Sequence, residues 1–449
     1  MTPQVLSSPR AVALTVLHQV EVDDAYVNIA LSQALRSHRL APADRALATE
    51  LAYGAVKYQL TLDHWISRLS SRPVEGLSPW VRVALRLGLY QLLFLNRIPP
   101  HAAVAETVEA VKQRVNQGAV GLVNAILRRV TRGAAVDYGD PEREPVSYLS
   151  RRYSHPEWLV DSWLKMLGRQ EAEALLAANN QNPSLHLRVN TLRASRDQVI
   201  AALASEGLDP VPSPLLPEAI RLHKGSIEQS SSLKDGWAVV QDEGAMLVGR
   251  AVAPLPGEHI WDVCSAPGGK TTHMAQLMNN KGHIDATDIH HHRLEMVDRS
   301  AARLGINIIH TLQQDARHVA DQEGVLYDRI LVDAPCSGTG VLRRKVDARW
   351  QKSPEQIEEL SRLQLELVAS AARRLRSGGR LIYSTCSLEQ AEDEQVVTAF
   401  LKQHAEFRPC PLRESLVPEA LVNGDDYQMK LFPHIHETDG FFIASLIKH

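Results

Sequence analysis

Cysteine is scarce in this chain: Cys264, Cys336, Cys386 and Cys410 are the only four among 449 residues. At uneven spacing over that length they make no disulfide framework, so a reducing, cytoplasmic compartment is expected. Neither CxxC nor HExxH occurs, which removes the common zinc signatures. His290, His291 and His292 run consecutively, but neighbours on a helix point in different directions. They read as a solvated helix start, and no metal is expected. No apolar run approaches the roughly 18 residues of a membrane span. The opening "MTPQVLSSPRAVALTVLHQV" has a polar-interrupted helical period and no cleavage-site pattern, so neither membrane nor leader is expected. Internal repeats are absent. A strong excess of positive charge is missing too: the net charge is −3. Residues 1–140 carry +4, 141–240 carry −1 and 241–449 carry −6. A nucleic-acid partner would therefore be held by local patches rather than by a global field.

What is present divides the chain into three. Residues 5–132 read as helix throughout. "SPRAVALTVLHQV" begins on Ser-Pro and lines Val12, Val16, Leu17 and Val20 along one face. Pro73, Pro79 and the Pro99-Pro100 pair punctuate the helices that follow, which predicts an all-α bundle over 1–140. The turn-rich, charged "VDYGDPEREP" marks the first boundary. Residues 141–240 mix helical stretches with strand-like "SLHLRVN", "AIRLH" and "WAVVQ", predicting a small α+β domain. From 241 to 449, strand, turn and helix alternate. This predicts an α/β Rossmann-like domain, a doubly wound and mostly parallel sheet whose ligands bind at the carboxyl ends of the strands.

Chemistry-bearing residues cluster at those ends. In "DVCSAPGGKTT" a strand gives way to a tight Pro267-Gly268-Gly269 turn and then a helix, whose first N–H groups are free. The turn matches neither GxxxxGK[ST] nor GxGxxG, and alone it is an ordinary connection. Asp288 ends the next strand, where nucleotide-binding sheets place the acid that accepts ribose hydroxyls. Asp315 follows the third strand. Together these residues point to a nucleoside-bearing small molecule. Cys336 and Cys386 each follow a strand and sit among small polar residues, so on composition they are equal candidates for a nucleophile. A free thiol has a pKa of about 8.5, and a nearby Lys270 or helix N-terminus would raise its thiolate fraction. Cys264 reads as a small residue of the glycine turn and Cys410, between two prolines, as structural. The basic "LRRKVDARW", directly after the Cys336 loop, is a candidate substrate clamp.

"DVCSAPGGKT", "VDAPCSGTG", "LRRKVDARW" and "YSTCS", in that order, resemble the RNA cytosine-C5 methyltransferases that use S-adenosylmethionine. "DRALATELAYGAVK", "LGLYQLLFLNRIPPHAAVAETVEAVK" and "GLVNAILRRV" resemble the RNA-binding NusB fold. The two joined, with "HLRVNTL" and "GWAVVQDEGA" between, are similar to the bacterial methyltransferases of 16S (small-subunit) ribosomal RNA. The resemblance implies that Cys264, Ser265, Ala266, Pro267, Gly268, Gly269 and Lys270 wrap the methionine and ribose parts of the cofactor. It implies Asp288 on the ribose hydroxyls, Asp315 on the adenine side, and Asp333 between cofactor and target base. Cys386 is then the nucleophile and Cys336 assists product release. Arg343, Arg344, Lys345 and Arg349 would contact RNA. Val346 departs from the family pattern, where a proline usually follows the basic pair.

The partner implied is protein-free or early-assembly 16S ribosomal RNA, with the enzyme a monomer. Two alternatives stand beside this reading: a transfer-RNA C5 methyltransferase, disfavoured by the NusB-like region, and a non-catalytic RNA-binding assembly factor. DNA C5 methyltransferases use a Pro-Cys thiol followed by an ENV tripeptide, and no ENV occurs.

Overall fold

The computed structural model describes residues 8–222, 227–318 and 325–449. Residues 5–7 of the first expected helix and His223 of the strand-like "AIRLH" lie outside the described residues. The chain forms two compact units, Met1–Asn180 with Lys345–Gln351, and Gln181–Arg344 with Lys352–His449.

The first unit is helical among its described residues. Ser8 caps the helix Pro9–Asp23 by accepting from Ala11 N–H. Proline opens Pro42–Lys57, Pro79–Phe94, Pro100–Lys112 and Pro145–Tyr153, where its missing N–H costs nothing. The apolar faces of these helices meet in one core around Leu14, Leu51, Ile66, Leu85 and Leu127. The helices Pro145–Tyr153 and Glu157–Ala178, read from sequence with the middle region, belong to this unit.

Residues 345–351 also pack here, and this corrects the expected RNA clamp. Val346 sits in the helical core. Asp347 accepts from Val27 N–H (3.0 Å), and Trp350 Nε1 donates to Val56 O (2.8 Å). Arg349 is 1% exposed and donates to Ser154 O and Asn180 Oδ1 (both 3.0 Å) and to Asn179 O (3.3 Å). A guanidinium removed from water and committed to carbonyls has no face left for a phosphate. In the second unit Arg344 pairs with Asp439 (2.6 Å) and Asp242 (2.9 Å), and Arg343 with Asp439 (3.3 Å). Of the four basic residues expected on RNA, only Lys345 is exposed.

The second unit holds two sheets. The smaller is antiparallel, built from β1 (Leu185–Val189), β2 (Pro210–Pro212), β3 (Ala219–Leu222) and β4 (Ala238–Val240) in the order β2-β3-β1-β4. Side chains alternate across a strand. Leu187 and Val189 of β1 accordingly join the small core under the helix Arg196–Ser205. Arg188, between them, reaches the other way to Gly269 O (2.6 Å) and Thr272 Oγ1 (2.9 Å). Thus "HLRVN" fastens the small sheet to the glycine turn.

The larger sheet comprises β5 (His259–Asp262), β6 (His283–Asp288), β7 (Ile309–Gln313), β8 (Tyr327–Asp333), β9 (Leu375–Thr385), β10 (Phe407–Pro409), β11 (Gln428–Leu431) and β12 (Phe441–Lys448). Its order is β10-β12-β9-β8-β5-β6-β7, with β11 beside β12. Strands β5 to β9 are mutually parallel, and β12 inserts antiparallel to β9. Both faces are covered. Ile260, Leu331 and Ile382 enter one core, while Trp261, Val332 and Tyr383 enter the other. From β5 the chain adds β6 and β7 on one side and β8 and β9 on the other. The switch therefore falls between β5 and β8, which opens a crevice at their carboxyl ends.

Candidate active site

Every strand bordering that switch ends on a reactive or acidic residue. After Asp262 at the end of β5, the chain turns through Gly268 into the helix Gly269–Leu277. Gly268 has φ 96°, and a Cβ there would come to 3.0 Å from Val297 Cα, so both conformation and space select glycine. Ser265 stitches the turn to β6, its N–H and Oγ both donating to Thr287 O (2.9 and 3.0 Å). Thr271 Oγ1 donates to Asp262 Oδ2 (2.7 Å), while buried Asp262 Oδ1 finds no donor among the described residues. Burial, opposed by the Thr271 bond and reinforced by nearby Asp333, pushes the Asp262 carboxyl up to about 7. Burial and the neighbouring carboxylates also push the Cys264 thiol up, so it stays protonated.

Asp288, ending β6, accepts from His290 N–H (2.9 Å) and pairs with Arg293 (3.1 Å). Arg293 also donates to Ala266 O (2.8 Å), linking this carboxylate to the glycine turn. Asp315, after β7, is gripped by the Arg317 guanidinium (2.6 Å), whose bonds hold its carboxyl below the ordinary range.

Asp333, ending β8, accepts from Lys270 Nζ (2.6 Å) and Ser384 Oγ (2.9 Å). The Lys270 ammonium also lies 4.8 Å from the centre of the Phe441 ring. Burial pulls the Lys270 pKa down, but Asp333 and then Cys386 outweigh it and hold it above its ordinary value. Lys270 is therefore a fixed cation between a carboxylate and a cysteine.

The two candidate thiols meet: Cys336 Sγ and Cys386 Sγ are 3.2 Å apart, and neither cysteine is in a disulfide. Gly340 N–H donates to Cys386 O (2.9 Å), and a Cβ at Gly340 would fall 2.3 Å from Gly440 O, so only glycine lets the loops approach. Behind the thiols lies fully buried Glu392 (0% exposed). It accepts from Ser337 N–H (2.8 Å), Gln364 Nε2 (3.0 Å), Ser387 Oγ (2.6 Å) and Ser337 Oγ. One carboxylate thus ties together the residues that follow each cysteine. The Cys386 bond, burial and then Glu392 and Asp333 raise the Cys336 thiol well above its ordinary pKa.

The edge thus gathers Cys264 to Lys270, Asp333, Cys336 and Cys386, with Asp288 joined to them through Arg293. Sequence reading missed Ser384, Arg293, Phe441 and Glu392. The Cys-Ser dipeptide occurs at Cys264, Cys336 and Cys386 alike and so did not single out the two loops whose serines share Glu392 as acceptor.

Three family descriptions match successive parts of the chain: NusB family over residues 7–132, an RsmF/B-like ferredoxin-like domain over 155–227, and 16S rRNA methyltransferase RsmB/F over 250–447. A Bacillus subtilis protein, the probable ribosomal RNA small subunit methyltransferase B, is 38% identical over 98% of this chain and 99% of its own length. Its Synechocystis counterpart is 40% identical over the same shares. The chain belongs to the ribosomal RNA small subunit methyltransferase B family. Among solved structures, PH0851 covers 98% of this chain and 99% of its own at 29% identity and TM-score 0.82. NSun6 from Pyrococcus horikoshii, solved with SFG, covers 65% of this chain and 98% of its own at 26% identity and TM-score 0.59. The order along the chain is therefore a NusB-type helical region, a ferredoxin-like sheet and a methyltransferase sheet. No helix among the described residues is long and apolar enough to cross a membrane.

Proposed function

We propose that this chain transfers a methyl group from S-adenosylmethionine to carbon 5 of a cytosine in 16S ribosomal RNA, with Cys386 as covalent nucleophile and Cys336 assisting release. The observation that carries the reading is the pair of cysteine thiols 3.2 Å apart beside the Lys270–Asp333 ion pair. SFG, bound to the NSun6 relative, is an analogue of S-adenosylmethionine. The residues here suit that group: Asp288 and Asp333 end strands beside the glycine turn, and buried Asp262 Oδ1 is a polar atom with no hydrogen-bond partner among the described residues. Residues 264–270 and Asp288 would hold the cofactor, with Asp315 on its adenine side. When bound, the cofactor supplies an electrophilic sulfonium methyl.

The rest falls to the chain's own side chains. Carbon 5 of cytosine is too weak a nucleophile to take the methyl directly. Cys386, as thiolate beside the Lys270 ammonium, forms a bond to carbon 6 and turns the ring into an enamine. The charge that reaches N3 takes up the proton Cys386 gave up on ionising, with the Asp333 carboxylate as its hydrogen-bond partner, and that proton is returned when the 5,6 double bond re-forms. Carbon 5 then takes the methyl and becomes tetrahedral. A base reached through Cys336, whose thiol passes its own proton on as it takes the one from carbon 5, completes the deprotonation; the electron pair re-forms the 5,6 double bond and the sulfur–carbon-6 bond breaks, returning Cys386 as thiolate. The base must be unpaired or flipped out to reach both thiols. The test is transfer of labelled methyl from S-adenosylmethionine to protein-free 16S ribosomal RNA, then nucleoside analysis. Label in 5-methylcytidine is expected. Label in any other nucleoside, or none, would refute the reading.

A further inference from the structure

The parallel register places a second group of side chains at the opposite end of the same strands. His259 opens β5 and His283 opens β6, and the two are register partners. Asp285 lies two residues along β6, hence on the face that His283 uses. The three ligand-capable atoms converge. His259 Nε2 is 3.0 Å from Asp285 Oδ2, His283 Nε2 is 2.9 Å from Asp285 Oδ1, and all lie within 4.8 Å of one another. From this convergence we propose that His259, His283 and Asp285 form a binding site for a divalent transition metal of the zinc class.

Two imidazoles and a carboxylate are a zinc-type donor set, and a set of three leaves the fourth position to water. Zinc bonds of about 2.0–2.1 Å at the tetrahedral angle separate ligand atoms by about 3.3 Å. Each imidazole stands a few tenths of an ångström short of that edge, His259 from Asp285 Oδ2 and His283 from Asp285 Oδ1. Rotation of the Asp285 carboxylate and of the two rings, within the 4.8 Å span of the three ligand atoms, would seat an ion. The ligands are already oriented from behind. Tyr327, first residue of β8, donates its hydroxyl to Asp285 Oδ2 (2.9 Å), and the ring of His310, on β7, stacks on His283 at 4.0 Å. Such outer contacts fix ligand geometry in metal sites. The side chains remain 24%, 39% and 22% exposed, so an ion and its water can enter. Sequence motifs miss the site because its ligands come from two strands rather than one helix or loop. It stands at the amino ends of the strands, away from Asp262, Asp288 and Asp333.

The competing reading is a carboxylate that merely bridges two imidazoles by hydrogen bonds, and metal titration separates the two. Tag-free full-length protein, stripped with chelator, is titrated with Zn²⁺ against a chromophoric competitor and with Co²⁺ by visible absorption. One equivalent with a tetrahedral cobalt band is expected. His283→Ala and Asp285→Asn should each weaken binding at least about tenfold. A His290→Ala/His292→Ala double variant should bind as wild type. Circular dichroism confirms that the variants fold. Absence of a cobalt band, wild-type affinity in His283→Ala, or loss of binding in the double variant would overturn the proposal.

Discussion

Replacing Glu392 should separate the thiols' support from the thiols themselves. Its carboxylate is fully buried and receives four hydrogen bonds, from two serine hydroxyls, one backbone N–H and one glutamine amide. Bonds to a charged acceptor contribute about 1.5–3 kcal/mol each, and they are not additive in a shared network. Glu392→Ala removes the shared acceptor, leaving Gln364 Nε2 only Pro335 O and the two serine hydroxyls only each other and Thr339, at about 3–5 kcal/mol. Glu392→Gln keeps the shape, and the two hydroxyls can rotate to accept from its amide, so about 1–2 kcal/mol is lost. The glutamine variant also removes the negative charge that helps keep the Cys336 thiol protonated. The assay is thermal unfolding with site-resolved alkylation of Cys336 against pH, beside methyl transfer at saturating cofactor. Glu392→Gln should shift Cys336 alkylation to lower pH and lower kcat by about tenfold or more, with KM for the cofactor unchanged. Wild-type alkylation and turnover in a folded Glu392→Ala protein would refute the reasoning, because the loops would then not depend on their shared acceptor.

Three further outcomes follow from the same structure. Lys270→Met removes the cation between Asp333 and Cys386 and should lower transfer at least about a hundredfold, with RNA affinity retained in a filter-binding assay. Asp262 has a folded pKa of about 7 against an ordinary value near 4, so the native state holds an extra proton between those values and loses stability as pH rises through that window, on the order of 4 kcal/mol. Asp262→Asn should flatten the dependence of Tm on pH from 5 to 8; parallel curves would contradict this. Arg349→Ala should destabilise the helical unit by about 3 kcal/mol through orphaned carbonyls, leaving the salt dependence of RNA binding unchanged. Lys345→Ala should do the reverse, reducing the logarithmic salt slope by about 0.7 if it meets one phosphate of single-stranded RNA.

Legibility in the sequence followed the range of the interactions. Helix starts at Pro42, Pro79 and Pro100, and the strand-turn-helix rhythm after 241, are local patterns and were readable. The carboxyl-edge residues were readable because one rule of parallel sheets collects them. Arg349 was not: a basic, irregular segment looks solvated, and its partners Ser154 and Asn180 lie far away in sequence. Glu392 was hidden in the acidic stretch "LEQAEDEQ", where nothing local separates the carboxylate that receives the loop serines from Glu389, Asp393 and Glu394. Strand β2 was missed because "PVP" lacks the alternation that marks a strand. The roles of Cys336 and Cys386 were equivalent on composition, and the family resemblance distinguished them before any geometry was available.

The division of labour between the thiols is tested most directly by incubating Cys336→Ala and Cys386→Ala with 16S ribosomal RNA and S-adenosylmethionine, followed by denaturing electrophoresis. Cys336→Ala should accumulate a covalent RNA–protein adduct, since carbon 6 is attacked but release is impaired. Cys386→Ala should form no adduct and transfer no methyl. An adduct or sustained turnover by Cys386→Ala would contradict Cys386 as the nucleophile.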